Sequence, residues 1–379
     1  MNMDPELEII KILKKNQIDL ALSVPCARIK NLLILISKEF QHIPITREEE
    51  GVGIAAGAYL AGKKPTLLIQ SGGIGNSVNA LMSLSKIYSL PLPIIISWRG
   101  VYKEKIEAQK PMGQHLIRIL EGCEIPYLKV EDVEDIEKID QAIQDSYKIE
   151  TPYAILLSPK IWESSSVETQ KIEYPKRTAD FALIYNKIIR LPTITRFDAI
   201  QTLVPYLKDK LVISNIGIPS KELYYLLDQP SNFYMLGSLG MASSIGLGVA
   251  LGNPKKEIIV IDGDGSLLYN PNALCMIGNL SPKNLTIIAM DNGTHGSTGD
   301  QITAAYNKID LELLARSFGI KNTAKVHIKD EIIITIETLE LGPRFIHVIL
   351  KPGKKDIKNI PLSPETIKKR FMDYLREHG

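Results

Sequence analysis

Residues 258–296 read IIVIDGDGSLLYNPNALCMIGNLSPKNLTIIAMDNGTHG, and the reading of this stretch decides the fold. Ile258–Ile261 is a β-branched strand run ending at an acidic glycine turn, Asp262-Gly263-Asp264-Gly265-Ser266. Asn270-Pro271 then predicts a helix reaching about Leu280, because proline suits the first helical turn. Leu285–Met290 is a second apolar run, closed by the polar turn Asp291-Asn292-Gly293-Thr294. Strands joined through a helix run parallel, and their crossover is almost always right-handed. Both turns therefore fall at one carboxyl edge of a sheet, where α/β folds bind ligands. Asp264 and Asn292 meet there although 28 positions separate them.

The residue types at that edge indicate a ligand. A glycine turn before a helix suits a phosphate, because free N–H groups point at it. A carboxylate between the glycines would repel a bare phosphate, and a divalent cation between them removes the conflict. The Asp264 carboxylate, the Asn292 side-chain oxygen and a backbone carbonyl near Thr294 are hard oxygen donors of the kind Mg²⁺ prefers. Taken singly, the two segments are ordinary Asp-Gly and Asn-Gly turns. Paired across one strand–helix–strand unit, they point to a metal–diphosphate site.

G-D-G-S, followed 28 positions after its aspartate by an asparagine at a strand end, resembles the metal–diphosphate motif of the thiamine diphosphate enzymes. Asp291-Asn292 stands where the commoner form of the motif has two asparagines, and the ligand-bearing second position, Asn292, is kept. The resemblance implies thiamine diphosphate and Mg²⁺ as cofactors. It places Gly265, Ser266 and Asn292 at the diphosphate, and Asp264, Asn292 and Thr294 at the metal.

The remaining sequence is compatible with such an enzyme. The 379 residues, 45% of them hydrophobic, suffice for two domains with their own cores. Lys+Arg 45 against Asp+Glu 43 gives no argument for nucleic acid or a membrane surface. Cys26, Cys123 and Cys275 lie far apart, which fits a reduced cytoplasmic protein and offers no zinc site. The amino-terminal MNMDPELEIIKILKKNQ reads as an amphipathic helix rather than a secretory signal. No apolar run approaches the roughly 18 residues of a membrane span.

Strand and helix signals alternate over 1–162, with strands at 19–23, 42–45, Thr66–Ile69, Pro93–Ser97 and 153–157. Helices are predicted at 5–16, 28–39, 47–61, 74–87, 112–121 and 135–149. A polar linker over 163–194 follows, and alternation resumes over 195–379 with a helix at 196–206 and a strand at 211–214. The expected fold is α/β: two doubly wound parallel-sheet domains without strong sequence repetition between them. The family resemblance makes 1–162 a pyrimidine-binding-type domain and 195–379 a diphosphate-binding domain, with no central third domain.

In the first half, residues 46–65 read TREEEGVGIAAGAYLAGKKP. Thr46 and Glu49 have capping-box spacing, and the small-residue helix behind them admits a closely approaching ligand or subunit. Three glutamates at a helix start are otherwise a solvated acidic turn. E-x-x-x-V-G-I-A-x-G resembles the family helix that carries the cofactor-activating glutamate. Counting back from Val52-Gly53-Ile54 puts that role on Glu48, with Glu49 its rival. In the family this carboxyl hydrogen-bonds the aminopyrimidine ring and favours its imino tautomer. Burial and the adjacent Glu49 and Glu50 would raise its pKa.

Gln70-Ser71-Gly72-Gly73-Ile74-Gly75-Asn76-Ser77 lacks the third glycine of a dinucleotide fingerprint and is read as a tight active-site turn, with Gly72 and Gly73 at the cofactor. Arg99 in IIISWRG and His115 in PMGQHL are candidates for substrate-anion or proton-transfer work, with Arg28 and Arg47 as further cations. A lone histidine or arginine is as often structural. In the second half, Gly217 and Ser238 are candidate cofactor contacts in loops at strand ends. Leu239 matches the family's apolar support for the bent cofactor, and is equally a core leucine.

SVPCARIKNLL, QSGGIGNSVNALMSL, SWRG and GSLGMASSIGLG extend the resemblance to the sulfopyruvate decarboxylase family, with its two subunits fused, and to the phosphonopyruvate decarboxylases. That implies a small 2-oxo acid substrate with a second anionic group. It also implies a homo-oligomer, at least a dimer, with sites between chains. A catalytically silent cofactor-binding scaffold is the reading from another class.

Overall fold

A computed structural model describes residues 4–167, 190–306 and 308–378. The chain divides into two compact units, Met1–Ala55 with Lys63–Ile184, and Ala56–Gly62 with Tyr185–Gly379.

The first unit holds β1 (Leu20–Ser23), β2 (Gln41–Pro44), β3 (Pro65–Gln70), β4 (Leu92–Ser97), β5 (Tyr127–Val130) and β6 (Pro152–Leu157). They form one six-stranded sheet in the order β2-β1-β3-β4-β6-β5, and every pairing is parallel. A parallel sheet is covered on both faces, so its central strands are continuous apolar runs; all six residues of β4, LPIIIS, are buried. Ile9 and Leu13 from the first helix, Ile36 from the second and Ile143 from the helix Lys138–Lys148 share one core with Leu68, Ile95 and Ile155 of the sheet. β5 had no counterpart among the sequence signals. It has four residues at the sheet edge, three of them incompletely buried, so its apolar alternation is weak.

The second unit holds β7 (Leu211–Ser214), β8 (Asn232–Tyr234), β9 (Ile258–Gly263), β10 (Leu285–Asp291), β13 (Asn322–Val326) and β14 (Arg344–Ile349). Between β10 and β13 lies a small antiparallel pair, β11 (Thr294–His295) and β12 (Gln301–Ile302). The main sheet is again parallel and six-stranded, in the order β13-β14-β10-β9-β7-β8. Counted in chain order within each unit, both sheets run 2-1-3-4-6-5, so the two units share one doubly wound topology.

Two predicted turns are helix starts. β3 runs directly into the helix Ser71–Ala80, and β9 continues through Gly263 into the short helix Asp264–Tyr269 before the helix Asn272–Leu280 begins. Each glycine pair suggests a turn because glycine disfavours helix. Here the extended residue preceding each helix, Gln70 or Gly263, makes the change of direction alone. The start and end of the predicted linker are ordered: Ser165 Oγ donates to Glu6 Oε1 at 2.8 Å, and the Lys351 amide donates to the Ile194 carbonyl at 3.0 Å. Its middle, 168–189, lies outside the described residues. No described helix is long and apolar enough to cross a membrane.

Candidate functional site

In the second unit, β7 pairs with β8 on one side and β9 on the other, so successive connections leave β7 in opposite directions. A doubly wound sheet opens a crevice at such a reversal, beyond the carboxyl ends of the strands. A cleft of about 260 Å³ lies there. Asn215 and Gly217 after β7, Gly263 to Ser266 after β9, Asn292 and Thr294 after β10, and Leu239 all line it. The pairing of β9 with β10, Met290 against Gly263, brings Asp264 and Asn292 to one rim.

Asp264 is buried and accepts a hydrogen bond from the Thr303 hydroxyl. Burial, with the Asp291 charge adding to it, pushes the Asp264 carboxyl up to about 7. A carboxylate in that position gains most from a cation beside it. The Asn292 amide nitrogen donates to Thr294 Oγ1 at 3.1 Å, which leaves the amide oxygen as a donor atom for a metal. Asn215 Oδ1 is buried on the same wall without a hydrogen-bond partner. Among the described residues no cluster of three His, Cys, Asp or Glu side chains could hold a metal. A hard cation here would therefore rest on one carboxylate, one amide oxygen, backbone carbonyls and its ligand's own oxygens.

The surrounding loops are tied to this rim. The Gly240 amide donates to Ser266 Oγ at 3.2 Å, fastening the G-S-L-G loop to the short helix. Ser238 is buried with φ 58, and Leu239 faces the cleft between it and Gly240. Gly217 caps the helix Ile218–Leu226 at φ 88, a conformation that suits glycine. A Cβ on Gly265 would lie 2.4 Å from His295 Cε1, so a larger residue there requires the imidazole to move. The sequence reading passed over Arg196 and His295, which also line the cleft. Arg196 belongs to a buried ion pair with Glu222, Nε to Oε2 2.8 Å, and no local motif marks either residue.

In the first unit, Glu48, Glu49 and Glu50 open the helix Glu48–Leu60, and all three are buried rather than solvated. Glu48 Oε2 accepts from Asn76 Nδ2 at 2.9 Å, and Gly73 stands so close that a Cβ there would lie 2.8 Å from Glu48 Cγ. A Cβ on Gly72 would meet only Gln70 Nε2, at 4.0 Å, an ordinary contact. The Thr46–Glu49 capping box is absent: Thr46 Oγ1 donates to Glu50 Oε2 at 2.8 Å, while Glu49 pairs with the exposed Arg47 at 3.3 Å. Buried glutamates take whichever donor their own direction reaches, and Glu50 turns back over the helix start. Burial pushes Glu50 up to about 7, and its second oxygen has no partner. Asn76 was missed because a distant amide bears no sequence signal of pairing with a glutamate.

Arg99 is buried, with its guanidinium in a two-point contact to Glu104, 2.6 and 2.8 Å. His115 is exposed on the helix Lys110–Gly122, and Arg28 is exposed within the 3₁₀ turn Ala27–Ile29.

Comparison with known proteins agrees with this geometry. Residues 7–118 match the family description "Thiamine pyrophosphate enzyme, N-terminal TPP binding domain", and residues 216–348 match "Thiamine pyrophosphate enzyme, C-terminal TPP binding domain". Sulfopyruvate decarboxylase of Methanosarcina acetivorans is 49% identical over 98% of each chain. Phosphonopyruvate decarboxylase of Streptomyces viridochromogenes is 31% identical over 93% of this chain and 90% of its own. The crystal structure of benzoylformate decarboxylase from Polynucleobacter necessarius, 13% identical, superimposes with a TM-score of 0.70 over 93% of this chain and 100% of that chain, a likeness of fold. With two parallel sheets of one topology, both domain matches and a full-length relative at this identity, the chain belongs to the thiamine pyrophosphate (thiamine diphosphate)-dependent decarboxylases.

Proposed function

We propose that this protein catalyses the non-oxidative decarboxylation of 3-sulfopyruvate to sulfoacetaldehyde and CO₂, a step of coenzyme M biosynthesis, using thiamine diphosphate and Mg²⁺. The observation that carries this reading is the match at 49% identity along 98% of a sulfopyruvate decarboxylase. The relative named for phosphonopyruvate, at 31%, makes that acid the alternative substrate. Both acids are pyruvates with a second anionic group at C3.

When bound, thiamine diphosphate supplies a nucleophilic C2 carbanion and an electron sink for the bond to the departing carboxylate. The roles assigned to the chain follow from the chemistry of each side chain. Glu48, sheltered and held by Asn76, is the carboxyl that would hydrogen-bond the aminopyrimidine ring. Gly72 and Gly73 leave room at that wall. Asp264, Asn292 and the Thr294 carbonyl would hold Mg²⁺; Gly217, Ser238, Gly265 and Ser266 would contact the diphosphate, and Leu239 would support the cofactor. The buried carboxylate raised toward 7 and the unpartnered Asn215 oxygen support a polar, cation-bearing ligand in the cleft. His115, exposed on its helix, is assigned proton transfer. Arg99, locked to Glu104, is assigned to shaping the strand end beside Ser71, whose hydroxyl donates to the Arg99 carbonyl at 3.2 Å.

We read residues 1–162 as the pyrimidine-binding domain, 163–194 as the linker and 195–379 as the diphosphate-binding domain. The enzyme acts as a homo-oligomer, at least a dimer, in which each site combines the first domain of one chain with the second of another. Three free cysteines agree with a cytoplasmic location.

The test is product analysis after incubation with sulfopyruvate, phosphonopyruvate and pyruvate, with and without Mg²⁺ and thiamine diphosphate. Sulfoacetaldehyde formed only with both cofactors, and a kcat/KM favouring sulfopyruvate, is the expected result. A large preference for phosphonopyruvate would replace the substrate. Tight cofactor binding without turnover of any of the three acids would favour a scaffold.

A further inference from the structure

Behind the β10 turn lies a largely buried row of acidic and basic side chains that the proposed mechanism does not use. Asp291, the last residue of β10, accepts the Gly293 amide on Oδ1 at 3.1 Å. Its other oxygen, Oδ2, meets His347 Nε2 at 2.8 Å. His347 stands mid-way along β14, beside β10, with its side chain 1% exposed. Its second nitrogen, Nδ1, is buried, has no hydrogen-bond partner and lies 3.7 Å from Asp310 Oδ1. Asp310 caps the helix Leu311–Ser317 through the Glu312 and Leu313 amides, 3.0 and 3.1 Å, and pairs with Lys325. Lys325 lies on β13 directly opposite His347 in the parallel register.

The row therefore runs Lys325, Asp310, His347, Asp291, and it ends at the amide one residue past Asn292. Because an ionised carboxylate can only accept, Nε2 must be the donor to Asp291. Burial lowers the basicity of His347, but Asp291 and Asp310 on its two sides outweigh burial and raise it. Two carboxylates alternate with a lysine and a histidine along the row, so each acid has a basic side chain beside it. A lone Asp291 would have none, and it sits beside Asp264, whose charge it disfavours. Asp291 also stands where the commoner motif has a neutral asparagine, so a carboxylate at this position needs a counter-ion that an amide does not.

We propose that His347, backed by the Asp310–Lys325 pair, is the positioning residue for the metal-ligating turn: it holds Asp291 on the Gly293 amide and thereby aims the Asn292 side-chain oxygen at the cation. This rests on the assignment of Asn292 as a ligand. Such outer partners of a metal ligand are worth about 10- to 100-fold in metal affinity.

The test uses the full-length protein with thiamine diphosphate, and Mn²⁺ as probe, the free ion being counted by its paramagnetic resonance signal. Asn292→Ala is the control on the assignment itself: unchanged Mn²⁺ affinity there would remove Asn292 from the metal. With Asn292→Ala weakened, His347→Leu is expected to weaken Mn²⁺ about 10- to 100-fold, while His347→Gln, whose amide nitrogen reaches the Nε2 position, stays within about threefold of wild type. The thermal unfolding midpoint without metal or cofactor is measured in parallel, since a merely structural histidine would move that midpoint and leave affinity unaltered in the folded fraction. Wild-type Mn²⁺ affinity in His347→Leu overturns the proposal, and so does equal weakening in His347→Gln. If His347→Leu does not fold, Lys325→Met decides: an affinity equal to wild type overturns the proposal, and a loss rescued by Lys325→Arg supports it.

Discussion

With Glu48 as the proposed activating carboxyl, Gly73→Ala should disable the enzyme by displacing Glu48, which is itself left unsubstituted. A Cβ at position 73 would lie 2.8 Å from Glu48 Cγ, 2.9 Å from Oε1 and 3.1 Å from Cδ. Carbon atoms in contact rest about 3.5–4.0 Å apart, so the carboxyl must retreat by roughly 1 Å. That retreat also opens the 2.9 Å hydrogen bond from Asn76. A misplacement of about 1 Å in a catalytic group can cost on the order of 10²-fold in rate, and this loss is expected in kcat. Stability should change little: overpacking costs about 1–3 kcal/mol, and replacing a helical glycine by alanine returns about 0.5–1 kcal/mol. Gly75→Ala, two positions along the same helix, is the control. Its Cβ would lie 2.8 Å from Met112 Cε, the end of a flexible thioether that can swing aside, so turnover should stay within about twofold of wild type. The assay is steady-state aldehyde formation with saturating thiamine diphosphate and Mg²⁺, with thermal unfolding alongside. Wild-type turnover in Gly73→Ala, or an equal fall in both variants, would refute the reasoning.

Gly72→Ala meets nothing nearer than Gln70 Nε2 at 4.0 Å, so the free protein should unfold at its usual temperature. A rise in the thiamine diphosphate Kd would then mark Gly72 as a contact, and an unchanged Kd would remove it. Glu50, held at about 7 by burial, has a folded pKa above its unfolded one, so the folded state retains an extra proton between roughly pH 4.5 and 7 and loses stability as pH rises through that window. Glu50→Gln should abolish this slope and exceed wild type at pH 8 by up to about 3 kcal/mol; parallel stability–pH curves for the two proteins would contradict it. Arg99→Met takes the cation from Glu104 and leaves its carboxylate on the backbone amides of Gly100, Lys105 and Ile106, which should cost about 1–3 kcal/mol, whereas Arg99→Met with Glu104→Gln should recover part of that in denaturant titration. Full activity in the double variant would exclude Arg99 from contact with the substrate.

Much of the second unit could be read from the chain alone. Two apolar runs joined through a helix must lie parallel, so the turns holding Asp264 and Asn292 had to share a sheet edge whatever the rest of the protein did. The alternation of elements likewise carries the doubly wound class, because parallel strands need crossovers and helices fill them. The short edge strand β5 escaped notice, as its half-buried residues have no strong period. What only the tertiary structure decided is pairing across distance. Asn76 finds Glu48, Glu104 takes Arg99, Thr46 turns to Glu50 instead of Glu49, and His347 backs Asp291. Each depends on where a side chain points after the sheet has twisted and packed, and local spacing holds no record of that direction.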